Sequence, residues 1–197
     1  MSSFLRFLAL ACCVIATAVN ADQGPARGKF LVASEALQGP HFAKSVILLL
    51  QYDDSGAVGL IVNRPMDAAP VEALPELEGL DSYRGTLYWG GPVRMFTIRA
   101  LLRTDSPPEN AVQVIDAVHL VPLDEPLPEG ASSASNLRLF VGYAGWSPGQ
   151  LEAELARGSW HILPATEELV FAKDWSRIWQ RLVPPTQYRA AIRVGPT

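Results

Sequence analysis

Cysteine is almost missing from this chain, and the two that exist stand side by side at Cys12 and Cys13, inside an apolar N-terminal run. If that run is removed as a leader, no disulfide, no thiol nucleophile and no cysteine metal site is left, and stability rests on the core alone. Histidine is also scarce. His41, His119 and His161 lie far apart, with no HxH or HExxH spacing, so neither a metal nor a cofactor is expected. Positive charge is in deficit too: 16 Lys and Arg stand against 20 Asp and Glu, for a formal net charge of −4 and a pI near 5.4. Non-specific nucleic-acid binding needs the opposite balance, because basic surface must displace phosphate counterions.

The N-terminus is expected to be a targeting segment. Met1 to Arg6 carries one positive charge, and Phe7 to Val19 is apolar apart from Thr17. That stretch is short for a membrane span and suits a signal h-region. Val19-Asn20-Ala21 offers small residues for cleavage before Asp22. A lipobox ending at Cys12 is a rival reading, although Ala9-Leu10-Ala11 matches one weakly. Cleavage after Ala21 leaves 176 of the 197 residues, removes Arg6 and takes the net charge to −5, with no stable membrane anchor remaining. A domain of that size buries about 70% of its unfolded surface. The expected location is exported, periplasmic or secreted.

Beyond the leader, short apolar runs alternate with turn signals. Phe30 to Ser34 reads as a strand. Ser45 to Tyr52 and Ala57 to Asn63 read as a hairpin around Asp53-Asp54-Ser55-Gly56. Runs such as Val46-Ile47-Leu48-Leu49-Leu50 suggest strands buried on both faces. Residues 70–79 read as a short helix after Pro70. Leu87 to Trp89, Met95 to Leu102, Ala111 to Ile115 and Val118 to Val121 are further strand candidates. The Pro- and Ser-rich stretch 122–135 reads as a flexible loop, and residues 184–197 as a tail or edge strand. Thr166 and Asp174 are cap positions for two late helices, the second carrying Trp175, Ile178, Trp179 and Leu182 at helical spacing.

Residues 137–163 are the most informative stretch. Leu137, Leu139 and Val141 alternate with Arg138, Phe140 and Gly142, as in a strand. Ser147-Pro148-Gly149-Gln150 predicts a helix start, with Ser147 as N-cap, Pro148 at N1 and Gln150 closing a capping box. Leu151 and Leu155 share the inner face, and Gly158 is placed to end the helix. The result is a β–turn–α–β unit with a Gly-rich elbow, a place where ligands sit in such units.

Gly142-Tyr143-Ala144-Gly145-Trp146-Ser147-Pro148-Gly149-Gln150 and the residues after it resemble the signature of the AlgH/YqgE family of uncharacterised proteins. Blocks 28–34, 41–65, 88–93 and 164–182 match in the same order, so the resemblance spans about Gly28 to Leu182. It implies one α/β domain, a compact sandwich whose mixed, partly barrel-like sheet is flanked by helices. It implies no activity. Family members mostly lack a leader, some are named as transcriptional regulators, and region 122–135 usually reads there as a helix; this acidic, leader-bearing chain departs on all three.

Three functional readings follow. The first is a non-enzymatic binding or interaction module, taking a protein partner or a small anion at Asn63, Arg64, Gly90, Gly91, Tyr143, Gly145, Trp146 and Ser147. There Arg64 and glycine N–H groups would make an anion-friendly notch. Against it stand an Arg64 ion pair with an acid such as Glu152, and aromatics that merely seal a core edge. The second is a serine hydrolase, since Gly145-Trp146-Ser147-Pro148-Gly149 fits the nucleophile-elbow pattern, with His41 or His161 as base. Pro148 lacks the N–H an oxyanion hole would use, a loss on the order of 3 kcal/mol. The third, a nucleic-acid-binding regulator, is disfavoured by the charge. Glu152 and Glu154 point about 200° apart on a helix and read as a solvated face.

Overall fold

The computed structural model describes residues 24–67, 83, 85–123, 133 and 135–184. The expected leader, the expected 70–79 helix, most of the expected 122–135 loop and all but the first residue of the expected 184–197 tail lie outside them. Nine strands form one curled sheet: β1 (Lys29–Ala33), β2 (Val46–Asp53), β3 (Gly56–Ile61), β4 (Leu87–Trp89), β5 (Val93–Arg103), β6 (Val112–Ile115), β7 (Val118–Val121), β8 (Leu137–Trp146) and β9 (Trp160–Pro164). Among the described residues three short helices accompany it: α1 (Gln150–Ala156), α2 (Glu167–Val170) and α3 (Trp175–Leu182).

The strand order is β6-β7-β5-β8-β3-β2-β1-β9, with every neighbouring pair antiparallel. β4 is the exception. It runs parallel to β8 through Leu87↔Leu139 to Trp89↔Val141, while β3 takes Ala144 to Trp146 further along β8. β8 therefore joins the two halves of the sheet.

Continuous apolar runs are explained by two buried faces. Alternation along β1 and β2 sends Phe30, Val32, Leu48 and Leu50 to one side and Leu31, Ala33, Ile47 and Leu49 to the other. The first side is closed by Val170, Phe171 and Ile178 of the late helical region. The second is closed by Leu151 of α1, with Leu37 and Phe42 from the loop after β1. A third cluster, with Leu87, Ala100, Leu102, Leu137 and Leu139, fills the outer side of β4, β5 and β8. Truncating one of these fully buried leucines to alanine removes about 2–5 kcal/mol.

The expected elbow is strand. β8 continues through Gly142, Tyr143 and Gly145 to Trp146. The Gly90-Gly91 turn lies against it so closely that a Cβ on Gly91 would sit 2.2 Å from the Tyr143 carbonyl carbon. The chain reverses only afterwards. Gln150 N–H donates to the Ser147 carbonyl at 3.0 Å, and Gly149 holds φ 77° and ψ −11°. Pro at the second position and a left-handed Gly at the third define a type II turn. Ser147 is thus no N-cap: Gly149 takes that position with no side-chain bond. The same residues that suggest a cap are those a type II turn demands. Half of the expected box does form, because Gln150 Oε1 accepts from the Ser147 N–H at 3.1 Å.

α1 ends as expected. Gly158 N–H donates to Leu155 O at 2.9 Å and Ser159 N–H to Glu154 O at 3.0 Å, the two bonds of a Schellman close. Thr166 caps α2, accepting from Leu169 N–H at 3.4 Å. Asp174 precedes α3 without capping its backbone; its carboxylate takes the Ser176 hydroxyl instead, at 3.1 Å. The two strands of the β–turn–α–β unit are not neighbours, since β3, β2 and β1 lie between β8 and β9. No crevice opens between adjacent parallel strands there.

Candidate functional site

The expected notch is a fastening. Asn63 Oδ1 accepts from Val46 N–H at 2.8 Å, and its Nδ2 donates to Lys44 O at 2.9 Å. Arg64 donates to Pro40 O at 3.0 Å and Ala43 O at 2.9 Å, and its guanidinium lies 5.1 Å over the Trp89 ring. Both residues pin the 39–45 loop to the sheet. Burial lowers the Arg64 pKa from its ordinary value. The alternative of an Arg64 pair with Glu152 is not what the fold builds: Glu152 instead accepts from Tyr52, a bond that holds its carboxyl below the usual range. Gly90 offers no free N–H, since it donates to Val141 O at 2.8 Å.

The remaining residues of the patch divide. Tyr143 is half-buried with the Arg99 guanidinium 4.7 Å from its ring, and Gly145 packs beside it. Trp146 is buried, stacked with Phe42 and edge-on to Trp160 at 6.0 Å. Ser147 is exposed in the turn. His41 is exposed on the 39–45 loop, 5.8 Å from the Trp89 ring, and buried His119 bonds Ala117 O at 3.0 Å. Among the described residues no group of three His, Cys, Asp or Glu side chains could hold a metal ion.

Glu154 was not legible as a partner. Its Oε2 accepts from Trp146 Nε1 at 2.9 Å and Trp160 Nε1 at 2.7 Å, while Oε1 accepts from Gln150 at 3.1 Å. The expected solvated acid is a clamp that fastens α1 to both ends of its crossover.

A charge that is fully buried has no such answer. Arg138 sits in β8 between Leu137 and Leu139, pointing with Phe140 to the side closed by α2, and is 4% exposed. Its guanidinium donates to Ala172 O and, at 3.4 Å, to Val62 O. It lies 4.6 Å from the Tyr88 ring and 5.6 Å from the Phe171 ring. No carboxylate among the described residues pairs with it. Burial lowers its pKa from the ordinary value, yet an arginine stays charged.

Beside Arg138 opens a cavity of about 410 Å³. Arg103 and Lys173 line it as well, with Tyr83, Tyr88, Phe171 and Trp175 as its aromatic wall. Arg103 donates to Ser135 O at 2.9 Å and lies 5.0 Å over Phe171. Burial pushes the Tyr83 hydroxyl up to about 12 and raises Tyr88 also. Tyr83 donates to Leu137 O, at 3.2 Å. Among the described residues three cations and no acid line this cavity, in a chain whose net charge is negative. The one sequence signal for it is an arginine placed inside an otherwise apolar strand.

Known proteins share this architecture. An AlgH-like family model matches residues 30–189. A UPF0301 protein of Chlorobaculum tepidum is 38% identical over 160 residues, covering 79% of this chain and 84% of its own. Another, from Streptomyces avermitilis, is 35% identical over the same shares. Among solved structures, protein DIP2367 of Corynebacterium diphtheriae superposes with a TM-score of 0.71 at 27% identity, over 83% of this chain and 89% of that one. The AlgH protein of Pseudomonas aeruginosa does so with a TM-score of 0.61 at 25% identity, over 87% and 89%. Signature blocks, curled mixed sheet and comparisons agree: the chain belongs to the AlgH-like family, whose members carry no assigned activity.

Proposed function

We propose that this protein is an exported, non-enzymatic binding module for a small anion, held in the cavity beside Arg138. The observation that carries the reading is a guanidinium 4% exposed, bonded among the described residues only to carbonyls and aromatic faces, at the wall of a cavity that two further cations line. A buried charge without a counter-charge is costly to the fold. An anion entering the cavity would offset that cost, and the low local dielectric strengthens the attraction. The leader pattern over residues 1–21 supports export. Neither the hydrolase nor the regulator reading gains a comparable observation.

A thermal-shift series with phosphate, sulfate and small carboxylates tests the anion site, with Arg138→Met as the control. An anion at 100 times its Kd adds about 2.7 kcal/mol, which for a domain of this size raises Tm by roughly 5–10 °C. A shift in the native protein that vanishes in the variant is the expected result. Equal shifts in both, or none in either, would refute the site. Fractionation of cells expressing the chain with and without residues 1–21 tests export separately.

A further inference from the structure

Resting on the anion-site reading, we propose that the ligand is a phosphate monoester carried on a planar ring. Two features narrow the class. The first is donor number. Arg138 gives bonds to two carbonyls and Arg103 to one, so these forks and the Lys173 ammonium keep several N–H groups for a ligand. A carboxylate offers one negative charge on two oxygens. A phosphate monoester offers close to two charges on three terminal oxygens, the better match to three cations with no acid among them.

The second feature is the wall. The cavity of about 410 Å³ falls in the size range of small-molecule sites, about 300–1,000 Å³, and is far larger than one tetrahedral oxyanion. The remaining space must hold the rest of the ligand. Phe171 already has two guanidinium groups over its ring, and Tyr88 has one. Tyr83 is 3% exposed and closed off in the wall, whereas Trp175 is half-buried at the start of α3, two residues from exposed Lys173, with no guanidinium of the described residues over its ring. A planar group stacked there would leave its phosphate toward Arg138 and Arg103.

Isothermal titration of the purified protein with inorganic phosphate, phenyl phosphate and benzoate tests the class. Phenyl phosphate is expected to bind at least ~10-fold tighter than either of the others, the step that one good stacking contact provides. Trp175→Ala should erase that advantage while leaving inorganic phosphate unchanged. Lys173→Ala, at an exposed position that leaves the fold intact, should weaken both phosphates about tenfold without moving Tm. Benzoate binding as tightly as phenyl phosphate would overturn the phosphate assignment and leave the anion site standing. Equal affinity for phosphate and phenyl phosphate would overturn the planar group alone. Binding of none of the three would overturn this proposal and the wider reading together.

Discussion

Glu154 and Arg138 are both charges set among aromatic side chains, and the fold treats them in opposite ways. Glu154 receives three donors from its own chain, two of them indole N–H groups. Arg138 receives ring faces and two carbonyl oxygens, with an open cavity beside it. The first arrangement is internal: each charge-assisted bond contributes about 1.5–3 kcal/mol, and both carboxylate oxygens are engaged by the chain itself. The second is open, because its charge is solvated by neutral dipoles and a cavity lies beside it. A half-buried charge satisfied by its own chain holds a structure together. A buried charge met by neutral groups beside a cavity is the observation on which the proposed anion site rests.

Each half of this contrast can be attacked. Glu154→Leu strands two buried indole donors, so stability should fall by about 2–5 kcal/mol while any anion-induced shift persists; chemical denaturation with and without phosphate reads both. Arg138→Met should do the reverse. It removes a costly buried cation and keeps the volume, so denaturation midpoints should move by no more than about 1 kcal/mol while the anion response disappears. A large loss of stability in Arg138→Met would make this arginine structural and dissolve the contrast.

Alkaline titration probes the cavity wall. Tyr83 stays neutral in the fold to about 12, whereas in the unfolded chain it ionises near 10.0. Its contribution is therefore complete below pH 10 and is lost as pH rises from 10 to 12, where the unfolded state releases the proton first. Tyr83→Phe should flatten that part of the stability profile. The smallest effect belongs to Ser147→Ala, expected within about 0.5 kcal/mol by thermal denaturation because the hydroxyl caps nothing in the turn.

The strands were legible because two buried faces leave apolar runs bounded by turn residues. Leu87–Trp89 and Val118–Val121 appear at the expected bounds, and the Asp53–Gly56 hairpin at the expected turn. The helix start was not, because Ser-Pro-Gly-Gln satisfies both an N-cap and a type II turn locally, and only the path of β8 decides between them. The site was less legible still. Asn63 and Arg64 look like free polar groups in sequence, and their partners at Pro40, Ala43, Lys44 and Val46 are some twenty positions away. Arg138 reads as the outward side of an alternating strand until α2 and Phe171 are found to cover it.

β8 is the latest-made element that the sheet cannot do without. Before residue 137 is synthesised, the β1–β2–β3 ladder and the β5–β6–β7 ladder share no strand pairing. Both gain a common partner only when Leu137–Trp146 is inserted between them. Closing the sheet thus waits on contacts distant in sequence, which slows folding. A chain proposed to be exported gains from that delay, since roughly its first two-thirds can emerge without locking into a finished barrel wall and remain threadable.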